Sequence, residues 1–171
     1  MEKIKSEIVL KEYENVTSEL IKLISSLREE QLNIKPANQG WTIAQIGQHL
    51  NLSYEVSAIL EGNVEEVNRD PCQKLPEIQR LFLNFDIKMD SPKEILPPEG
   101  FIKKESLLNS LKSKIEWCID FSKQMDVSKL CLDFEIPEYG PFTRLEWIGF
   151  NTVHTQRHIH QIKQIKKSLG I

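Results

Sequence analysis

Three histidines carry the chemistry that this sequence offers. His154 and His158 stand four residues apart in TRLEWIGFNTVHTQRHIHQIKQIKK, residues 143–167. At about 100° per residue, Trp147, Phe150, His154, His158, Gln161 and Ile165 fall on one helical stripe, with Asn151 and Ile162 at its edge. One turn therefore stacks both imidazoles on the face that a structural helix would fill with aliphatic side chains, near enough to share a metal ion. His160 lies roughly 160° from His158 and 120° from His154 on the same wheel. It sits among Gln156, Lys163 and Lys167 and is expected to face solvent.

A third inward histidine comes from an earlier helix, whose core stripe holds Ile46, His49, Leu52, Ser53, Val56 and Leu60. Three neutral imidazoles suit zinc and also nickel, copper or iron. With no fourth protein ligand, such a set leaves a coordination position open, the arrangement of a catalytic rather than a structural zinc. The other reading is a polar core in which the rings bond to neighbours such as Gln45, Ser53, Asn151 or Gln161, since an unpaired buried nitrogen costs about 1–3 kcal/mol. Spacing alone leaves both open, because two histidines four apart on a helix also occur by chance. Gln45, Asn151 and Gln161 are candidates to support the ligands or touch a substrate, or else ordinary core-edge polar residues. Arg157, on the flank of the stripe, could bind a substrate carboxylate or make a salt bridge at the bundle edge.

Four amphipathic segments must position these residues. Residues 3–30 read as one helix, with Val9, Tyr13, Val16, Leu20, Leu23, Ile24 and Leu27 recurring at three and four. After a connector at 31–40 containing Pro36 and Gly40, Thr42 and Gln45 form a helix-start signature, with Trp41 set to pack on Ile46. That second helix is expected to run to Glu61, before Gly62. Residues 105–124 form the third, with Leu107, Leu108, Leu111, Ile115, Ile119 and Phe121. Thr143, Glu146 and the pair Phe142 and Trp147 repeat the start device for the fourth, which ends at Leu169-Gly170.

Between the second and third helices, residues 62–100 hold Pro71, Pro76, Pro92, Pro97, Pro98 and Gly100 and no sustained period. They form a long irregular excursion with room for a short helix at 77–85, either a wall of the site or a surface crossover. Residues 130–139 alternate like one extended arm, which by itself makes no sheet. The expected fold is all-α: a single domain over residues 1–171, an up-down-up-down four-helix bundle with a long crossover between helices two and three.

Composition removes other classes. The 171 residues are 40% hydrophobic and 27% charged, with a formal net charge of −3. Disorder and disulfide scaffolds do not fit such a chain, and no basic face or motif suggests nucleic acid. Cys72, Cys118 and Cys131 match no zinc or redox spacing and are expected as free thiols. The charged N-terminus and the lack of a long apolar run suggest a cytoplasmic protein with no membrane partner.

Three stretches give the chain a resemblance to a family. Pro36 with Trp41-Thr42-Ile43-Ala44-Gln45-Ile46-Gly47-Gln48-His49-Leu50, then Gly140-Pro141-Phe142-Thr143 with Glu146-Trp147, then His154-Thr155-Gln156-Arg157-His158-Ile159-His160-Gln161-Ile162 resemble the corresponding segments of the DinB/YfiT-like superfamily of four-helix-bundle metalloenzymes. The likeness spans nearly the whole chain and implies that His49, His154 and His158 hold one divalent metal, variously zinc, nickel or another ion. It also implies a homodimer and a small-molecule substrate, with glutathione-, mycothiol- or bacillithiol-dependent transfer among the family's activities.

A bound metal could activate a low-molecular-weight thiol for S-transfer or a water for hydrolysis. Hydrolysis usually wants a general base, but Glu55 points away from the His49 stripe and Glu146 serves a helix cap. The balance favours thiol S-transferase chemistry, with a metal-dependent hydrolase or a non-enzymatic stress-response or interaction bundle as alternatives. An acid from the excursion would overturn that balance.

Overall fold

The computed structural model describes residues 2–171, and the apolar periods of the sequence become its long helices. In chain order the elements are α1 (Glu2–Ser25), α2 (Glu29–Leu32), α3 (Ile43–Ser53), α4 (Ser57–Glu61), β1 (Val64–Glu65), α5 (Leu75–Phe82), a 3-10 turn (Lys93–Ile95), α6 (Lys104–Gln124), β2 (Leu130–Ile136), β3 (Gly140–Thr143) and α7 (Arg144–Leu169). Helix α1 packs on α6 and α7, and α3 packs on the same two helices. Leu20 and Ile24 of α1, Ile46 and Leu50 of α3, Leu111 of α6 and Ile162 of α7 are fully buried in the shared core. Each such aliphatic side chain contributes roughly 1.5–3 kcal/mol of burial, so the fold is held mainly by these stripes.

Both helix-start signatures form. Thr42 Oγ1 accepts from the Gln45 amide at 3.1 Å while Gln45 Oε1 accepts from the Thr42 amide at 3.0 Å. Thr143 and Glu146 exchange the same two bonds at 3.0 Å each. Gly170 closes α7 in the left-handed region, at φ 68°, where only glycine is unstrained.

Two expectations about the elements need correction. The second helix does not run unbroken to Glu61; it stops at Ser53 and resumes at Ser57. Lys114 on α6 supplies the reason. Its ammonium takes the Asn51 carbonyl at 2.7 Å and pairs with Glu55 at 2.8 Å, satisfying a carbonyl that a helix end leaves free. The first helix likewise ends at Ser25 rather than residue 30, with α2 following as a separate turn.

The fold is also not wholly helical. Strands β1, β2 and β3 form an antiparallel sheet in that order, with Val64 opposite Cys131, Leu130 opposite Thr143 and Ile136 opposite Gly140. The arm at 130–139 thus finds partners on both sides. Two-residue β1 carries no period of its own, and its pairing with β2 spans more than sixty residues of chain. The hairpin feeds directly into α7, which carries two of the three histidines.

Candidate metal centre

His49 projects from the middle of α3, and His154 and His158 from consecutive turns of α7, all three into the interface between these helices. Exposure of the three is 2%, 7% and 9%. His154 Nε2 lies 3.0 Å from His49 Nε2 and 3.0 Å from His158 Nε2, and one ring nitrogen from each lies within 4.8 Å of the others. The rings meet nearly edge to face, at interplanar angles of 69° to 82°, so nitrogens rather than ring faces converge. Among the described residues no carboxylate or thiol joins this group.

The outer nitrogens determine what the inner ones present. His49 Nδ1 is 2.8 Å from the Ile95 carbonyl oxygen, which can only accept, so His49 carries its proton on Nδ1 and turns a lone pair inward at Nε2. His158 Nδ1 is 2.9 Å from Gln161 Oε1 and has the same tautomer by the same argument. His154 Nε2 therefore faces two lone pairs and can donate to only one of them. Its Nδ1 is buried with no hydrogen-bond partner among the described residues. A hydrogen-bonded core would not leave three ring nitrogens so arranged, whereas a cation among them would engage all three lone pairs. The residues present fit a metal ion.

Electrostatics agree with neutral rings. Burial pushes the His154 pKa well below its ordinary value, with the neighbouring His158 and His49 adding to the effect. Burial lowers His158 to about 4, His49 adds to the drop, and the Gln161 bond opposes it. His49 is lowered by burial against the opposing pull of the Ile95 carbonyl. Neutral imidazole is the form that ligates metal.

The remaining sequence candidates divide. Gln161 touches His158 directly. Gln45 serves the α3 cap and donates from Nε2 to the Pro98 carbonyl at 3.2 Å, bonds that do not involve the histidines. Asn151 is buried, and its Oδ1 has no hydrogen-bond partner among the described residues. Among the described residues Arg157 makes no edge salt bridge: it donates to the carbonyls of Phe82 at 2.9 Å, Asn84 at 3.1 Å and Ile87. His160 stays away from the cluster but is half-buried, stacked on Phe85 with ring centroids 3.8 Å apart. Cys72, Cys118 and Cys131 are free.

Sequence reasoning left the excursion open between a wall of the site and a surface crossover. The excursion walls the site: Ile95 and Ser91 meet His49, and Phe82 lies edge-on to His154. Its short helix, α5, lies two to three residues earlier than 77–85. Glu146, which had only a capping role, is fully buried and also takes both guanidinium nitrogens of Arg69 at 2.7 Å and the Lys74 amide at 2.9 Å. It thereby ties the start of the excursion to the start of α7. No sequence signal marked this second role, because the burial of Glu146 that demands a cationic partner is visible only in the fold.

Fold and site together define a mostly helical protein with a buried three-histidine group that could bind a metal ion. The chain belongs to the DinB superfamily, whose family model matches residues 12–162. It is similar to the uncharacterized protein YuaE of Bacillus subtilis (strain 168), 24% identical over 151 residues that cover 85% of this chain and 90% of the relative. No solved structure matches the chain. Among the described residues no helix is long and apolar enough to cross a membrane.

Proposed function

We propose that this protein is a divalent-metal-dependent enzyme in which His49, His154 and His158 hold one ion, zinc or nickel, within a single four-helix-bundle domain. Its reaction is transfer of a low-molecular-weight thiol to an electrophilic small molecule. The observation that carries the metal reading is the convergence of Nε2 atoms whose outer partners, the Ile95 carbonyl and Gln161, orient lone pairs toward one another. When bound, the ion supplies Lewis acidity and lowers the pKa of a thiol at its open position. The chain's own residues hold the rings neutral, fix their tautomers and exclude water.

Thiol transfer is preferred to hydrolysis because no carboxylate lies in the histidine group among the described residues. Glu146 is engaged by Arg69, and Glu55 by Lys114. A homodimer and a cytoplasmic location belong to the same reading. A second reading, a metal-stabilised bundle without catalysis, draws on the burial of all three rings.

The test is turnover of 1-chloro-2,4-dinitrobenzene by zinc- and nickel-loaded protein with glutathione or bacillithiol. Turnover that requires both thiol and metal and is lost in His154→Ala supports transfer. Ester hydrolysis without thiol would favour the hydrolase, and a loaded protein inert in both assays the non-catalytic bundle.

A further inference from the structure

His49 is finished from outside its own helix. Its Nδ1 partner, the Ile95 carbonyl, belongs to the 3-10 turn of the excursion, and Ser91 Oγ lies 3.3 Å from the same nitrogen. The segment 84–98 that carries both crosses the site as a strap. At its far end the Pro98 carbonyl accepts from Gln45 on α3. At its near end Arg157 holds the carbonyls of Phe82, Asn84 and Ile87. The Phe82 carbonyl belongs to the last turn of α5, where a helix lacks donors of its own, and the Asn84 carbonyl also accepts from the Ile87 amide at 3.3 Å. Arg157 is the residue before His158 on α7, so the helix that brings two of the histidines also brings the latch for the strap that orients the third.

We infer that Arg157 is a positioning residue: by latching the strap it keeps the Ile95 carbonyl on His49 Nδ1, and docking of the strap and binding of the metal favour each other. This rests on the reading of the three histidines as a metal site. With the strap docked, His49 is held as the Nδ1–H tautomer with its Nε2 lone pair turned inward. With the strap released, His49 can carry the proton on either nitrogen and can rotate. Outer partners of this kind are worth about 10–100-fold in metal affinity. Because coupling is reciprocal, the metal must strengthen strap docking by the same factor.

The test combines zinc titration by chelator competition with hydrogen–deuterium exchange on the full chain. Wild type, Arg157→Ala, Arg157→Lys and the exposed control Arg80→Ala are compared, with thermal melting to verify folding. The expected results are zinc affinity at least about tenfold weaker in Arg157→Ala, an intermediate loss in Arg157→Lys, whose single ammonium cannot reproduce the fork, and none in Arg80→Ala. In wild type and Arg80→Ala but not in Arg157→Ala, zinc slows exchange at the Ile87, Ile95 and Leu96 amides, which are bonded within the strap. Wild-type zinc affinity in a folded Arg157→Ala overturns the inference and leaves the metal reading intact. So does strap exchange that zinc does not change. A wild-type chain that binds no zinc removes the metal reading and this inference with it.

Discussion

Replacing Gln161 separates a metal centre from a polar core more sharply than removing a ligand does. Gln161 Oε1 sits 2.9 Å from His158 Nδ1 and is the hydrogen-bond partner that fixes the tautomer of that ring. In Gln161→Leu the hydrophobic stem remains and the acceptor is lost, so His158 no longer has a reason to keep its proton on Nδ1. Loss of an outer partner is expected to weaken zinc binding about 10–100-fold, equivalent to roughly 1.4–2.7 kcal/mol. Gln161→Glu supplies a stronger acceptor at the same reach and is expected to bind zinc at least as tightly as wild type. Since Gln161 is only half-buried, the metal-free Leu variant should lose no more than the value of one hydrogen bond, about 1 kcal/mol. Competition titration against a chelator reads the affinities, and urea unfolding of the metal-free proteins reads the stabilities. Unchanged zinc affinity in Gln161→Leu would refute the reasoning that the outer bonds prepare the inner lone pairs.

Three further outcomes follow from the same contacts. Arg69→Met leaves the Glu146 carboxylate buried without its cation and should destabilise the fold by about 3–5 kcal/mol, read as a lower urea midpoint. Thr143→Ala removes the α7 cap and the bond from Thr143 Oγ1 to the Pro71 carbonyl at 2.7 Å, and should cost about 1–2 kcal/mol in the same assay. The metal-free protein should be pH-sensitive on the acid side. The pKa of His158 is about 4 when folded, against an ordinary 6.5, so below 6.5 the unfolded chain takes up a proton first. Stability is complete above pH 6.5 and falls as pH drops from there toward 4, by up to about 3 kcal/mol from this group, with His154 acting in the same direction. Urea midpoints that are flat across that window would contradict the burial of neutral rings.

What the sequence revealed follows from what a local pattern can encode. The long helices were legible because their apolar stripes repeat over several turns and because Thr42–Gln45 and Thr143–Glu146 signal their starts; α6 lies within a residue of its expected span. The histidines were legible because each interrupts such a stripe. The break after Ser53 was not, since the agent is Lys114, sixty-one residues downstream of it in the chain. The sheet was missed because two-residue β1 becomes a strand only through pairing with β2. The strap's main contribution to the site was invisible for a different reason. A backbone carbonyl, here that of Ile95, carries no residue signature, and Arg157 also binds carbonyls rather than a carboxylate that a charge pattern could have flagged.

The most direct measurement of the central claim is metal content of protein purified without a histidine tag, for wild type and for His49→Ala, His154→Ala, His158→Ala and His160→Ala. Wild type and His160→Ala should carry close to one zinc or nickel per chain, lost in each of the other three while they remain folded. A wild-type chain that takes up no metal even after incubation with zinc and nickel would contradict that claim, and so would metal retained when any one of those three rings is removed.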